Sequence, residues 1–309
     1  MDQPAKLPRV FVGPGELPDL LDAVTRAGCS TVPKSAEADA VVWFGKHPDE
    51  LVDTLHPEIN WLQLPDAGVE RWLATDVFTA DRTVTSAAGS YGPQVAEHAL
   101  ALVLACMRLL PKAARATTWA LHHLTGSSLR GAVVTVVGPG DVGNCLLRLL
   151  RPLGCHTVAV TSHGSDVPEA DRSAAAEHLE QALADADVVV LAAPATSRSV
   201  GMADAGRLRA MKPTAYLVNV GRGSLVVTDD VLAALDREHL AGVALDVTEP
   251  EPLPDGHRLW THPRALITPH TANPPGLRRL AFAHRVEKNC RRRADGRLLA
   301  GVVNQERGY

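Results

Sequence analysis

The chain has 309 residues, 46% of them hydrophobic and 21% charged, more than one hydrophobic core usually organises, so two ordinary globular domains with a cleft between them are expected. A net charge of −4 and a pI near 6.3 give no electrostatic reason to expect nucleic acid as a partner. No run approaches the roughly 20 apolar residues that cross a bilayer, Met1 to Arg9 lacks a cleavable apolar segment, and five cysteines without a C-x-x-C pair read as core residues of a reducing compartment. A cytoplasmic location with no membrane partner follows as the expectation.

Taken in chain order, the first region alternates short apolar runs with a helical pattern. Val10-Phe11-Val12 precedes a helix near 16–27, and Ala40–Phe44 and Trp61–Leu64 read as further strands. Gly89-Ser90-Tyr91-Gly92-Pro93 breaks that pattern, and a long apolar helix follows from about Gln94 to Leu110. From Ala132 the period changes to repeated strand and helix units: 132–138, 141–153, 156–161, 171–184, 187–192, 203–210, 215–220, 228–239, 241–246 and 265–268. Of these, 171–184 reads as a helix. The strands are Val-rich on both faces, as in a parallel sheet covered by helices on both sides. One more amphipathic helix runs to about Arg293, where the Arg291-Arg292-Arg293 run suits a solvated helix C-terminus, and the tail from Leu298 should return to the first lobe. The expected organisation is a first α/β domain over 1–92, a nucleotide-binding domain over 93–275, and a returning helix and tail over 276–309.

Val133–Val137 leads into Gly138-Pro139-Gly140-Asp141-Val142-Gly143, and Leu146, Leu147, Leu149 and Leu150 then mark a helix. Gly138 permits the tight turn, Gly140 lets the backbone approach a pyrophosphate, and Gly143 lets helix and strand pack closely. The helix N-terminus supplies N–H groups and positive potential for phosphates. With strand, helix and further strand units around it, the turn reads as a dinucleotide site of the doubly wound, Rossmann type. No G-K-[ST] follows, which disfavours a phosphate-hydrolysing P-loop.

Beyond the second strand stand Thr161, Ser162 and His163, where an NAD site wants a carboxylate for the ribose hydroxyls. Hydroxyls and an imidazole suit a 2′-phosphate better, so NADP is the preferred cofactor, with NAD the alternative. Ala193-Pro194, Val220-Gly221 and Asp246 follow later strands and are further candidates for cofactor contact, with Asp246 on the nicotinamide side.

Ligands of an open parallel sheet bind beyond the carboxyl ends of its strands. Arg222 follows the strand at 215–220, the acidic segment from Asp246 to Pro252 follows that at 241–246, and His270 follows that at 265–268. These segments resemble the D-isomer-specific 2-hydroxyacid dehydrogenases: Val218–Ser224 is similar to that family's substrate-arginine motif, Asp246–Pro254 to its D-V-x-x-x-E-P-L segment, and Thr268-Pro269-His270 to its P-H motif. Leu64–Val69, Val95–His98, Met211–Pro213 and Arg307-Gly308-Tyr309 also have counterparts.

The resemblance implies two Rossmann- or flavodoxin-like domains and hydride transfer between a nicotinamide and the 2-carbon of a small 2-oxo or D-2-hydroxy acid. It assigns the substrate carboxylate and carbonyl to Arg222, acid–base chemistry to His270, and support of the imidazolium to Glu251 rather than Glu249. The N–H groups of Ala67 and Gly68 would bind the carboxylate from the other lobe. Hydride transfer of this kind needs no metal. A homodimer through the nucleotide domain is implied, with the 94–110 helix as a candidate element, although a core role would give the same pattern. His98, His122, His123, His156 and His284 read as structural. The alternative function is a dinucleotide-sensing binding protein on the same fold.

Overall fold

The computed structural model describes residues 7–119 and 125–305. His122, His123 and the Arg307-Gly308-Tyr309 segment lie outside them. The chain divides into two compact units: the described residues up to Tyr91 with those from Pro274 onward, and Gly92–Asn273.

In the first unit β1 (Arg9–Gly13), α1 (Pro18–Arg26), β2 (Ser30–Val32), β3 (Ala40–Trp43), α2 (Pro48–Val52), β4 (Trp61–Gln63) and β5 (Thr83–Thr85) follow one another. The five strands form one parallel sheet in the order β2-β1-β3-β4-β5, the flavodoxin-like arrangement. β3 and β4 are buried at every position, so alternation is absent from their sequences. Val41, Trp43, Leu51, Ile59, Leu62, Leu64, Val69 and Trp72 fill one core beside this sheet.

The second unit begins with α3 (Gly92–Met107) and α4 (Leu110–Ala114), then β6 (Val133–Val137), α5 (Asp141–Leu150), β7 (His156–Thr161), β8 (Arg172–Ala175), α6 (Leu179–Ala184), β9 (Val188–Leu191), α7 (Ala205–Ala210), β10 (Tyr216–Asn219), α8 (Thr228–Asp236), β11 (Gly242–Leu245), α9 (Arg258–Thr261) and β12 (Ala265–Ile267). Its seven parallel strands run β12-β11-β10-β9-β6-β7-β8, the doubly wound order whose direction reverses between β6 and β9. Val95, Ala96, Ala99, Leu102, Val103 and Cys106 of α3 are buried within this unit, so its apolar face serves the unit's own core. Among the described residues no helix is long and apolar enough to cross a membrane. All five cysteines are buried and unbridged.

One expected element is corrected. The stretch 171–184, read as a helix, opens with β8, which pairs in parallel with β7 from Val158↔Arg172 to Thr161↔Ala175, and only Leu179–Ala184 is α-helical. The Ala174–Ala176 run has high helix propensity, but a free sheet edge offers backbone partners that outweigh it.

The last helix, α10 (Pro275–Ala294), belongs to the first unit. Its Phe282, Val286 and Cys290 are fully buried, and Arg279 pairs with Asp19 of α1. Asn289, also fully buried, donates from Nδ2 to Gln63 Oε1 at 2.8 Å and to Ala300 O at 2.9 Å, while its Oδ1 accepts from Ala300 N at 2.8 Å. Gln63 Oε1 also accepts from Thr85 Oγ1 at 2.9 Å, and Thr85 Oγ1 from Trp61 Nε1 at 2.9 Å. The tail then runs along β5, with Val303 N donating to Val84 O and Ser86 N to Gly301 O. A buried polar network satisfied in this way fixes one register of sheet, helix and tail, because any slip would leave a desolvated donor without an acceptor.

Candidate active site

The glycine turn stands where β6 and β9 part. Gly138 has φ +80°, a left-handed conformation that favours glycine, and a Cβ there would lie 2.5 Å from Ala193 Cα in the segment after β9. A Cβ at Gly143 would meet Gly138 O and Val136 Cγ1 at 3.1 Å, so α5 lies close against β6. At Gly140 the same test meets no atom within 4 Å, which leaves backbone N–H groups approachable from outside. The first bond along α5 runs from Asn144 N to Gly140 O at 2.9 Å, so the N–H groups of Asp141, Val142 and Gly143 belong to the unpaired first turn. Pro139 packs beside Gly143. The Asp141 carboxylate is turned aside and accepts from Gly92 N, the first residue of α3, at 2.6 Å. The residues present fit a dinucleotide pyrophosphate: two glycines close the turn and the third exposes it.

At the carboxyl end of β7 the Thr161 hydroxyl oxygen is buried without a hydrogen-bond partner among the described residues, a group that a ribose or its phosphate would satisfy. Ser162 Oγ and His163 Nδ1 lie 2.7 Å apart, both exposed. No acid stands at this strand end, where Thr161 is followed by Ser162, His163 and Gly164.

Next along the sheet, Ser199 Oγ donates to Pro194 O at 2.7 Å and accepts from Thr196 N at 2.8 Å, closing the loop that begins at Ala193. At the end of β10, buried Asn219 donates from Nδ2 to Arg222 O at 2.8 Å and accepts from Gly221 N at 3.1 Å. Val220 N donates to Leu191 O at 3.1 Å. A Cβ at Gly221 would meet Ala193 O at 2.7 Å, and one at Gly223 would overlap the Thr248 carbonyl. Arg222 is therefore carried on a turn wedged between the segments that follow β9 and β11, and one of its Nη1 bonds goes to Gly221 O at 2.9 Å.

Beyond β12, His270 Nδ1 lies 2.6 Å from Glu251 Oε1. A carboxylate partner places the proton on Nδ1, so Nε2 is the ring nitrogen left for a reacting group. His270 has φ +52° and is held by its N–H, which reaches Asp246 O at 2.8 Å and Thr268 O at 3.0 Å. Asp246, only 2% exposed, spends its carboxylate on this loop: Oδ1 accepts from Thr268 Oγ1 at 2.6 Å and Thr271 N at 2.9 Å, and Oδ2 from Ala272 N at 3.1 Å. Burial alone would push this carboxyl up, but hydrogen bonds from His98, Thr268 and the two backbone N–H groups outweigh it and hold the group below the ordinary carboxylate range.

His98 of α3 completes the arrangement, with Nε2 at 3.1 Å from Thr268 Oγ1 and 3.4 Å from Asp246 Oδ1. By sequence alone it reads as a structural residue. A usable signal was present, since His98 interrupts the otherwise apolar stripe of Val95, Ala99, Leu102, Val103 and Cys106.

In the first unit, Ala67 and Gly68 follow Asp66, whose carboxylate is ion-paired with Arg71 at 2.9 Å and accepts from Arg278 at 2.9 Å and from Trp72 Nε1 at 3.0 Å. Tyr91 donates to Pro65 O at 2.5 Å, and burial pushes its hydroxyl up to about 12. The segment is thus pinned on both sides of its two backbone amides.

Residues 100–272 match the sequence model of the NAD-binding domain of D-isomer-specific 2-hydroxyacid dehydrogenases. The chain belongs to that family. It is 35% identical over 277 residues to an uncharacterised protein of Corynebacterium melassecola, a match covering 88% of this chain and 90% of that one. It is 30% identical over 227 residues to glyoxylate/hydroxypyruvate reductase A of Photorhabdus laumondii, covering 71% and 69%. A D-isomer-specific 2-hydroxyacid dehydrogenase of Xanthobacter autotrophicus, solved with NADPH and MES, superimposes with a TM-score of 0.82 at 25% identity, covering 98% of this chain and all of that one. This member of the family is an NAD(P)-dependent oxidoreductase, and of the two functions left open by the sequence the enzyme is the one supported.

Proposed function

We propose that the protein reduces a small 2-oxo acid, of the size of glyoxylate or hydroxypyruvate, to the D-2-hydroxy acid with NADPH as the preferred donor. The observation that carries this reading is the 2.6 Å pair of His270 and Glu251 at the same strand-end edge as the turn that carries Arg222. A bound nicotinamide supplies the hydride. Arg222 binds the substrate carboxylate and polarises the 2-oxo group, since a planar guanidinium can meet both oxygens of an acid. His270 delivers a proton from Nε2 to the oxygen that becomes the hydroxyl, and Glu251 holds the ring and stabilises its cationic form before transfer. The backbone amides of Ala67 and Gly68 are further proposed donors to a substrate carboxylate.

Gly138 to Gly143, Ala193-Pro194 and Val220-Gly221 line the cofactor, with Asp246 on its nicotinamide side. Three of the four donors on Asp246 crowd Oδ1, so Oδ2 keeps the acceptor capacity that a carboxamide N–H would use. Preference for NADPH is supported by the partnerless Thr161 hydroxyl and the Ser162–His163 pair where an acid would repel a 2′-phosphate. A homodimer in the cytoplasm belongs to the same proposal, and size-exclusion chromatography with light scattering tests the dimer.

The deciding experiment follows nicotinamide absorbance with a panel of 2-oxo acids and both reduced cofactors. Higher kcat/KM with NADPH than NADH on a short 2-oxo acid is expected. Turnover of none of them overturns the reaction, and a preference for NADH overturns the assignment of Thr161, Ser162 and His163.

A further inference from the structure

We propose that His98 is a positioning residue for the proton donor, setting the His270 loop through Asp246 and Thr268; this rests on the reading of His270 as the acid. The hydrogen-bond inventory fixes the direction of the bonds. Thr268 has one hydroxyl proton, and at 2.6 Å it is given to the ionised Asp246 Oδ1. Thr268 Oγ1 can therefore only accept from His98, so the proton of His98 sits on Nε2, shared between Thr268 Oγ1 at 3.1 Å and Asp246 Oδ1 at 3.4 Å.

That donor acts where leverage on His270 is greatest. The loop from Thr268 to Ala272 takes most of its bonds from one residue: Asp246 O takes His270 N, Oδ1 takes Thr268 Oγ1 and Thr271 N, and Oδ2 takes Ala272 N, while Leu245 O takes Thr268 N and Glu251 takes His270 Nδ1. Every described contact on the carboxylate comes from this loop except that of His98, which comes from α3. Rotation of the carboxylate would shift residues on both sides of His270, whose left-handed backbone depends on the same bonds. His98 opposes that rotation from a helix buried along most of its apolar face.

A proton donor misplaced by about 1 Å can slow reaction about 100-fold while substrate binding is little changed. With the 2-oxo acid that the wild type reduces fastest, His98→Ala should lower kcat at least tenfold, with KM for that acid within twofold and Tm within a few degrees. His98→Gln, which restores a neutral N–H donor, should recover most of the loss. Wild-type kcat in His98→Ala overturns the proposal, as does an equal fall in the Gln and Ala variants. Should His98→Ala fail to fold, Thr268→Val cuts the same bridge from the loop side and must show the same selective fall in kcat; wild-type kcat there is equally fatal. His270→Ala in the same assay separates the two readings. If it retains turnover the acid assignment fails, whereas its inactivity beside a fully active His98→Ala sinks this inference alone.

Discussion

A methyl group added at Gly138 and, separately, at Gly140 divides the structural task of the turn from its ligand task. At Gly138 the new Cβ meets backbone at 2.5 Å with φ at +80°. The left-handed conformation costs about 1–2 kcal/mol for an L-residue, and forcing atoms into a filled site typically costs about 1–3 kcal/mol. Together these give roughly 2–5 kcal/mol, or a fall in Tm of roughly 4–20 °C for a unit of this size. At Gly140 no atom lies within 4 Å, so Gly140→Ala should lose about 1 kcal/mol or less, the effect of alanine at a helix N-cap. Its methyl group instead stands where a pyrophosphate must approach the backbone. Loss of one hydrogen bond to a charged group, about 1.5–3 kcal/mol, weakens NADPH by roughly 10- to 150-fold. Scanning fluorimetry without cofactor and calorimetric titration with NADPH read the two effects independently. If Gly140→Ala binds NADPH as tightly as the wild type, or loses as many degrees as Gly138→Ala, the reasoning is refuted.

His270→Ala should cut kcat by about 10²–10⁴-fold, the usual share of a general acid, with NADPH affinity within twofold by titration; wild-type turnover would remove His270 from the reaction. Glu251→Gln should lower kcat about tenfold with NADPH affinity unchanged, because a neutral amide holds the His270 ring less firmly than the charge-assisted bond at 2.6 Å; wild-type kcat gives Glu251 another task. Acid stability follows from Asp171 and Asp187. Hydrogen bonds from Thr157 hold Asp171 below the ordinary range, and for Asp187 burial is outweighed by Lys212 and Val133 N. Depressed carboxyls contribute stability above the unfolded pKa of about 3.9, and that contribution is lost as pH falls through the lower folded values. The urea midpoint of the nucleotide unit should therefore fall as pH drops below about 4, and the fall should be shallower in Asp187→Asn; an equal slope in that variant counts against this origin.

The strand-end candidates were legible because their chemistry needs particular side chains at particular ends: the three glycines, Arg222 and His270 can be placed by following each Val-rich run to its carboxyl terminus, whereas the choice of Glu251 over Glu249 rested on the family resemblance. β8 was not, because Arg172–Ala175 carries a helical composition and becomes a strand only by pairing with β7. β2 and β5, Ser-Thr-Val and Thr-Val-Thr at the two edges of their sheet, carry no apolar run to register. Tertiary pairing also explains the buried polar residues. Gln63 and Asn289 lie 226 positions apart and neither suggests burial alone; each is tolerable in the core because the other, with Thr85 and Ala300, satisfies its polar atoms. His98 is the same case at the candidate site, an interruption whose meaning resides in Asp246 and Thr268.

The return of α10 to the first unit has a consequence for the order in which a ribosome delivers the parts. The nucleotide unit is one uninterrupted stretch and can close as soon as β12 has emerged, whereas Gln63 waits for Asn289 and Asp19 for Arg279. The sheet synthesised first is thus the one completed last, so the nascent chain carries its earliest strands with a core still open on one side.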